Sequence, residues 1–276
     1  MPVSAVLALL CSVVWGSSDF VGGLRAKVLP TLAVVGWSQV VGLAAMTVVV
    51  LAVHPLRGTA WIPYAVGAGL TGSVALAAFY AALSTGTMGV VAPIAATGAA
   101  VPVLLGVAQG DEPAPLVWVG MAVAVVGTVL ASGPELRAGV HVRPILLAGV
   151  AAVGFGLALF LIDRGSRSSL VSTLWGMRLA STVAFAVVAL SRRSLGGVGR
   201  RDVPWLVGIG LGDLSANALF AVASSQGLVS VTSVLASLYP VVTILLARVV
   251  LGERLRMIQN IGVVLSLVGV VAIASG

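Results

Sequence analysis

Three ionisable residues, Asp19, Arg178 and Asp213, stand where the surrounding sequence is almost wholly apolar. A charge at the centre of a membrane-crossing helix costs on the order of 3 kcal/mol, so each needs a partner or a use. Asp213 falls about halfway along its apolar run and is a candidate to bind a proton or a substrate ammonium group. Asn217 follows one turn later on the same helix face, and Phe220 continues that side. The competing reading of Asp213 is a structural ion pair with Arg178. The Arg178 guanidinium suits bidentate bonding to a carboxylate, either a substrate's or the protein's own. Asp19 has Trp15 four residues before it and Ser18 beside it, which suggests one polar face toward a cavity. A helix-end carboxylate reaching into the headgroups is the alternative.

Tyr80 and Tyr239 each place one hydroxyl on an apolar stretch, suited to lining a site or, for Tyr80 especially, to a lipid–water interface. Pro93, Pro102 and Pro240 remove backbone donors and should kink the stretches that hold them, which makes them candidates for gating. Proline is also common in membrane helices generally. His54 and His141 fall in predicted loops. Cys11 is the lone cysteine, so neither an intrachain disulfide nor a cysteine-based metal site is expected. An intramembrane enzyme would need a nucleophile with a base at membrane depth. No histidine is predicted there, and Cys11 has no evident base.

The elements that must position these residues follow from composition. The 276 residues are 59% hydrophobic and 8% charged, with a mean hydropathy of +1.17. Soluble domains carry about a quarter charged residues; here there is too little charge to clothe a globule in water, so the outer surface must face lipid. The net charge of +7 does not indicate nucleic acid, because all basic residues but Arg178 and Arg248 lie in short gaps and form no stripe. About 20 apolar residues cross a bilayer. Ten stretches qualify: Val3–Gly22, Leu32–Val53, Pro63–Leu83, Gly89–Gln109, Pro115–Ser132, Pro144–Ile162, Leu170–Leu190, Val203–Val222, Val229–Val250 and Met257–Ala274. The first lacks a basic leader and a cleavage site, so it reads as a retained span rather than a signal peptide. The gaps carry the breakers and charges, as in His54-Pro55-Leu56-Arg57-Gly58, Gly110-Asp111-Glu112-Pro113 and the segment from Ser191 to Asp202.

The chain also repeats. Phe79, Gly86 and Glu112 match Phe220, Gly227 and Glu253 at an offset of 141, and Trp15-Gly16 matches Phe155-Gly156 at 140. After a one-residue slip Gly120 and Gly127 match Gly262 and Gly269, pairs whose spacing suits close helix packing. The halves are 1–138 and 139–276. Five spans is an odd number, so the second half must enter the membrane from the opposite side. That gives an all-α membrane protein of ten helices in two inverted five-helix repeats, an architecture frequent among secondary transporters. By these offsets, and with Trp37 matching Trp175 at 138, Asp19 corresponds to Leu159, Asp213 to Gly72 and Arg178 to Val40. The scaffold therefore does without charge at each of these places, which favours a specific role for it.

From Phe220 through Ala236-Ser237-Leu238-Tyr239-Pro240 to Leu251-Gly252-Glu253-Arg254-Leu255 and the glycine-spaced last helix, the sequence closely resembles the EamA-type repeat of the drug/metabolite transporter superfamily. Trp15-Gly16 and Arg178 fit the same pattern. The first half departs from it, with Gly110-Asp111-Glu112-Pro113 where Gly-Glu-Arg is usual and with Pro93 and Pro102 in place of a single proline. The resemblance implies ten spans and movement, commonly outward, of amino acids or similar small metabolites across the cytoplasmic membrane. No nucleotide-binding loop is present, and no cofactor or metal is expected. Protons are a candidate coupling ion, the lipid bilayer is the surrounding partner, and a homodimer is left open. A non-transporting scaffold or partner subunit is the alternative function.

Orientation divides two lines of reasoning. The gaps after helices 1, 5, 7 and 9 hold Arg25, Lys27, Arg137, Arg143, Arg192, Arg193, Arg200, Arg201, Arg254 and Arg256, whereas the opposite gaps hold only Arg57, Arg164 and Arg167. The positive-inside rule then places both termini outside. The resemblance implies termini in the cytoplasm.

Overall fold

The computed structural model describes the chain except residues 1–2, 54–55, 57, 86–87, 132–141, 195, 252–255 and 276. His54, His141, Gly86, Glu253 and most of the Leu251–Leu255 motif lie outside the described residues or have undescribed side chains, as does the Pro93 side chain. Every regular element among the described residues is helical: α1 (Val3–Arg25), α2 (Thr31–Val53), α3 (Ile62–Thr85), α4 (Met88–Ala96), α5 (Ala100–Val107), α6 (Pro115–Ala131), α7 (Val142–Arg192), α8 (Val203–Ser225), α9 (Val229–Ala236), α10 (Tyr239–Leu251) and α11 (Met257–Ser275). Backbone that crosses hydrocarbon must satisfy its own hydrogen bonds, and helices do so within one segment.

α7 is 51 residues long, far more than a bilayer crossing requires. It is two arms joined at Ser169, which leaves the helical region (φ −163°, ψ 106°). The packing against α3 gives their directions. Tyr64, Gly67 and Ala75 of α3 meet Gly165, Leu161 and Gly154 of the first arm, so the two run antiparallel. Trp61 meets Gly176, and the Gly69 carbonyl accepts from Ser181 at 3.1 Å, so the second arm runs parallel to α3. The arms are therefore antiparallel spans of a tight hairpin. The expected gap between Ile162 and Leu170 is instead helical up to Ser168. Within it Asp163 is buried and accepts from Arg167 one turn later at 3.1 Å, so the charges that read as a loop are paired on a helix.

The fourth and ninth crossings are each broken. α4 and α5 are separated by a 3-10 turn at Thr97–Ala99, and α9 and α10 by Ser237 and Leu238. The breaks have one cause. Pro102 and Pro240 cannot donate to the carbonyls of Gly98 and Ala236 four residues earlier. Pro93 sits inside α4, which stays helical around it.

Repeat-related helices face each other in opposite directions. Gly36, Gln39 and Thr47 of α2 meet Phe185, Arg178 and Trp175 of the second α7 arm, in descending order. Along α6 and α11, Gly120 lies against Ile273 and Gly127 against Ser266. A methyl added at Gly269 would stand 2.5 Å from the Ala124 backbone nitrogen; only small residues permit that crossing. This antiparallel matching is the packing of an inverted pair of five-helix units. Polarity is turned inward: Gln39, Asp19, Arg178 and Asn217 are buried, while Val264, Leu267, Val268 and Val271 of α11 are exposed.

Candidate functional site

Asp213 sits where four helices meet. Its Oδ2 accepts from an Arg178 terminal nitrogen at 2.6 Å, its Oδ1 from Trp15 Nε1 at 3.0 Å, and Asn217 Nδ2 donates to its Oδ1 at 3.1 Å and to its backbone carbonyl at 2.6 Å. The same Arg178 nitrogen also reaches Gln39 Oε1 at 2.6 Å. Thus α1 and α2 of the first repeat are bonded to α7 and α8 of the second. Arg178 is 2% exposed. Its Nε and other terminal nitrogen have no hydrogen-bond partner among the described residues, so a guanidinium with five donors keeps unused capacity. Trp15 is held by Phe220, stacked at 6.3 Å between ring centroids.

Asp19, one turn beyond Trp15 on α1, is 9% exposed and accepts from the Tyr80 hydroxyl at 3.2 Å. Tyr80 is 1% exposed, so the hydroxyl and the carboxylate are both turned into the protein. Between the repeats lies a cavity. Trp15, Asp19, Gln39, Arg178, Asp213 and Asn217 form its polar wall. Both helix breaks reach it, one through Gly98 and the other through Ser237 and Tyr239. The Tyr239 ring meets Phe79 edge-on at 6.2 Å, and its hydroxyl has no hydrogen-bond partner among the described residues. The repeat mates Phe155, Leu159 and Gly72 line the same space. The cavity is thus built from equivalent positions that are polar in one copy and apolar in the other.

The structure accordingly gathers Trp15, Asp19, Arg178, Asp213, Asn217 and Tyr239 around one cavity. Tyr80 and Phe220 stand behind it, holding Asp19 and Trp15. Ser18 faces α8 at Gly212 instead. Pro102 and Pro240 act through the breaks that precede them. Gln39 was not anticipated, although it is the one amide in the second apolar stretch. Asp163 was missed because its arginine neighbours made the segment read as a gap.

The EamA-like transporter family matches residues 3–133 and, a second time, residues 142–275. The chain belongs to that family. Among the solved structures, one described only as a crystal structure of a protein shares the fold with a TM-score of 0.78 at 22% identity, over 99% of this chain and 96% of that one. No curated protein matches. Membership in the EamA-like family makes the chain a multi-pass membrane protein of a transporter family. Residues of both matched stretches line the cavity, which therefore lies between the two EamA units.

Proposed function

We propose that the chain is a secondary transporter that exports a small metabolite, such as an amino acid, across the cytoplasmic membrane by alternating access. Its repeats divide at 1–138 and 139–276, and the cavity between them is the solute site. The observation that carries this reading is the Asp213–Arg178 pair, which faces the cavity and ties both repeats together through Trp15 and Gln39. Opening the cavity by moving one repeat against the other must stretch these bonds. A proton on Asp213 would remove the charge that holds Arg178 and so lower the cost of opening. This is how a proton gradient would drive the cycle, and no catalytic step is assigned to the chain. Solute flux into proteoliposomes tests it. Asp213→Asn is expected to abolish flux driven by a pH gradient, with the protein still folded. Unchanged flux and gradient dependence would remove Asp213 from coupling, and no saturable flux from the native chain would leave it a scaffold.

A further inference from the structure

The two cavity carboxylates are not equivalent. Asp213 is neutralised by Arg178 at 2.6 Å and receives two further side-chain donors, Trp15 and Asn217. Among the described residues Asp19 receives only the Tyr80 hydroxyl, at 3.2 Å. Among the described residues no basic group lies within ion-pair distance of it. Arg178 is already committed to Asp213 and Gln39. With both acids ionised the polar wall carries two negative charges and one positive charge, and the uncompensated one is Asp19. A carboxylate out of water either takes up a proton or needs a counter-charge, and among the described residues none stands in reach of Asp19.

We propose that Asp19 anchors the ammonium group of an amphipathic organic cation, with the apolar wall facing the rest of that molecule. A hard metal ion is the wrong occupant, because it requires several oxygen ligands and no group of three or more potential metal-ligating residues occurs among the described residues. An organic ammonium needs one carboxylate and an aromatic surface. Trp15, Phe155 and Tyr239 line the same cavity, and the buried Tyr239 hydroxyl has no hydrogen-bond partner among the described residues. The apolar half has its origin in the repeat: Leu159 and Phe155 occupy the places of Asp19 and Trp15. The cavity wall therefore offers both charge and hydrocarbon. The assignment rests on the cavity being a solute site.

Calorimetric titration of the purified full chain at fixed neutral pH tests it, with 2-phenylethylammonium, 2-phenylethanol and 3-phenylpropionate as probes. The native chain is expected to bind the cation at least about ten-fold tighter than the alcohol, the worth of one charged hydrogen bond, and the anion most weakly. Asp19→Asn should bring cation and alcohol to equal affinity, whereas Asp19→Glu, which keeps the charge, should weaken binding but keep the preference. Absence of cation preference in the native chain, or its persistence in Asp19→Asn, overturns the proposal; the second result would move the cation to Asp213. Failure here with saturable flux of another solute intact sinks this assignment alone. Cation binding without any flux sinks the transport reading and leaves the site.

Discussion

At the scale of single residues, the Asp213–Arg178 pair sets the largest energies. Removing one member of a buried pair leaves a charge without compensation, at about 3 kcal/mol or more. Arg178 has almost no access to water, whereas the Asp213 side chain is 18% exposed toward the cavity. The arginine is therefore the member that suffers more when left alone. Asp213→Asn should lower the midpoint of thermal unfolding in detergent more than Arg178→Met does, and Arg178→Met/Asp213→Asn should be more stable than Asp213→Asn alone. A double variant no better than that single one would mean that the pair does not dominate the energy of the site. Trp15 makes a subtler contribution. Its indole N–H fixes Asp213 Oδ1, so Trp15→Phe keeps the stacking on Phe220 while removing one donor. Flux should fall several-fold, about one hydrogen bond's worth, with the unfolding midpoint little changed.

Helices carry these residues, and their breaks and crossings give predictions of their own. Pro240 prevents α9 and α10 from joining, since the Ala236 carbonyl has no donor four residues on. Pro240→Ala supplies that donor and should straighten the crossing. The expected result is a chain at least as stable but slower in transport, measured as turnover in proteoliposomes; unaltered turnover would show that the break is not a moving part. The α6–α11 crossing gives a sharper structural test. A methyl at Gly269 meets backbone of Ala124, which cannot yield as a side chain can. Gly269→Ala should cost about 1–3 kcal/mol through overpacking. Gly149→Ala, on the first arm of α7 with nothing within 4 Å, should be neutral or slightly stabilising. Equal effects at the two glycines, read in the same unfolding assay, would contradict the crossing described.

For the whole molecule, what could be read in advance followed the strength of the physical signal. Ten apolar runs, two inverted copies and the glycine-spaced fifth and tenth crossings were legible, because hydropathy and spacing are properties of the chain itself. The Asp213–Asn217 face was legible for the same reason, since helical periodicity fixes it. Partners across helices were not: nothing in the local sequence of Gln39 points to Arg178, 139 positions away, and the extension of α7 through Asp163 was hidden because paired charges and loop charges look alike. The inversion has a further consequence for orientation. Arg25 reaches Asp202 at 3.8 Å and lies over Trp205, which joins the end of α1 to the start of α8 and gathers Arg192, Arg193, Arg200 and Arg201 at one face of the bundle. Helix starts and ends on the other face carry far fewer cations. Short loops with Lys and Arg are retained on the cytoplasmic side, so the arginine-rich face should be cytoplasmic and the start of α1 should face away from it. Single cysteines placed at Ser194 and at Thr59, in a chain whose Cys11 is replaced by serine, test this with a membrane-impermeant maleimide on intact cells. Labelling at position 59 and protection at 194 are expected. The reverse pattern would show that the placement implied by the EamA-type resemblance, with termini in the cytoplasm, overrides the loop arginines, and the direction assigned to export would then have to be read from the opposite face of the cavity.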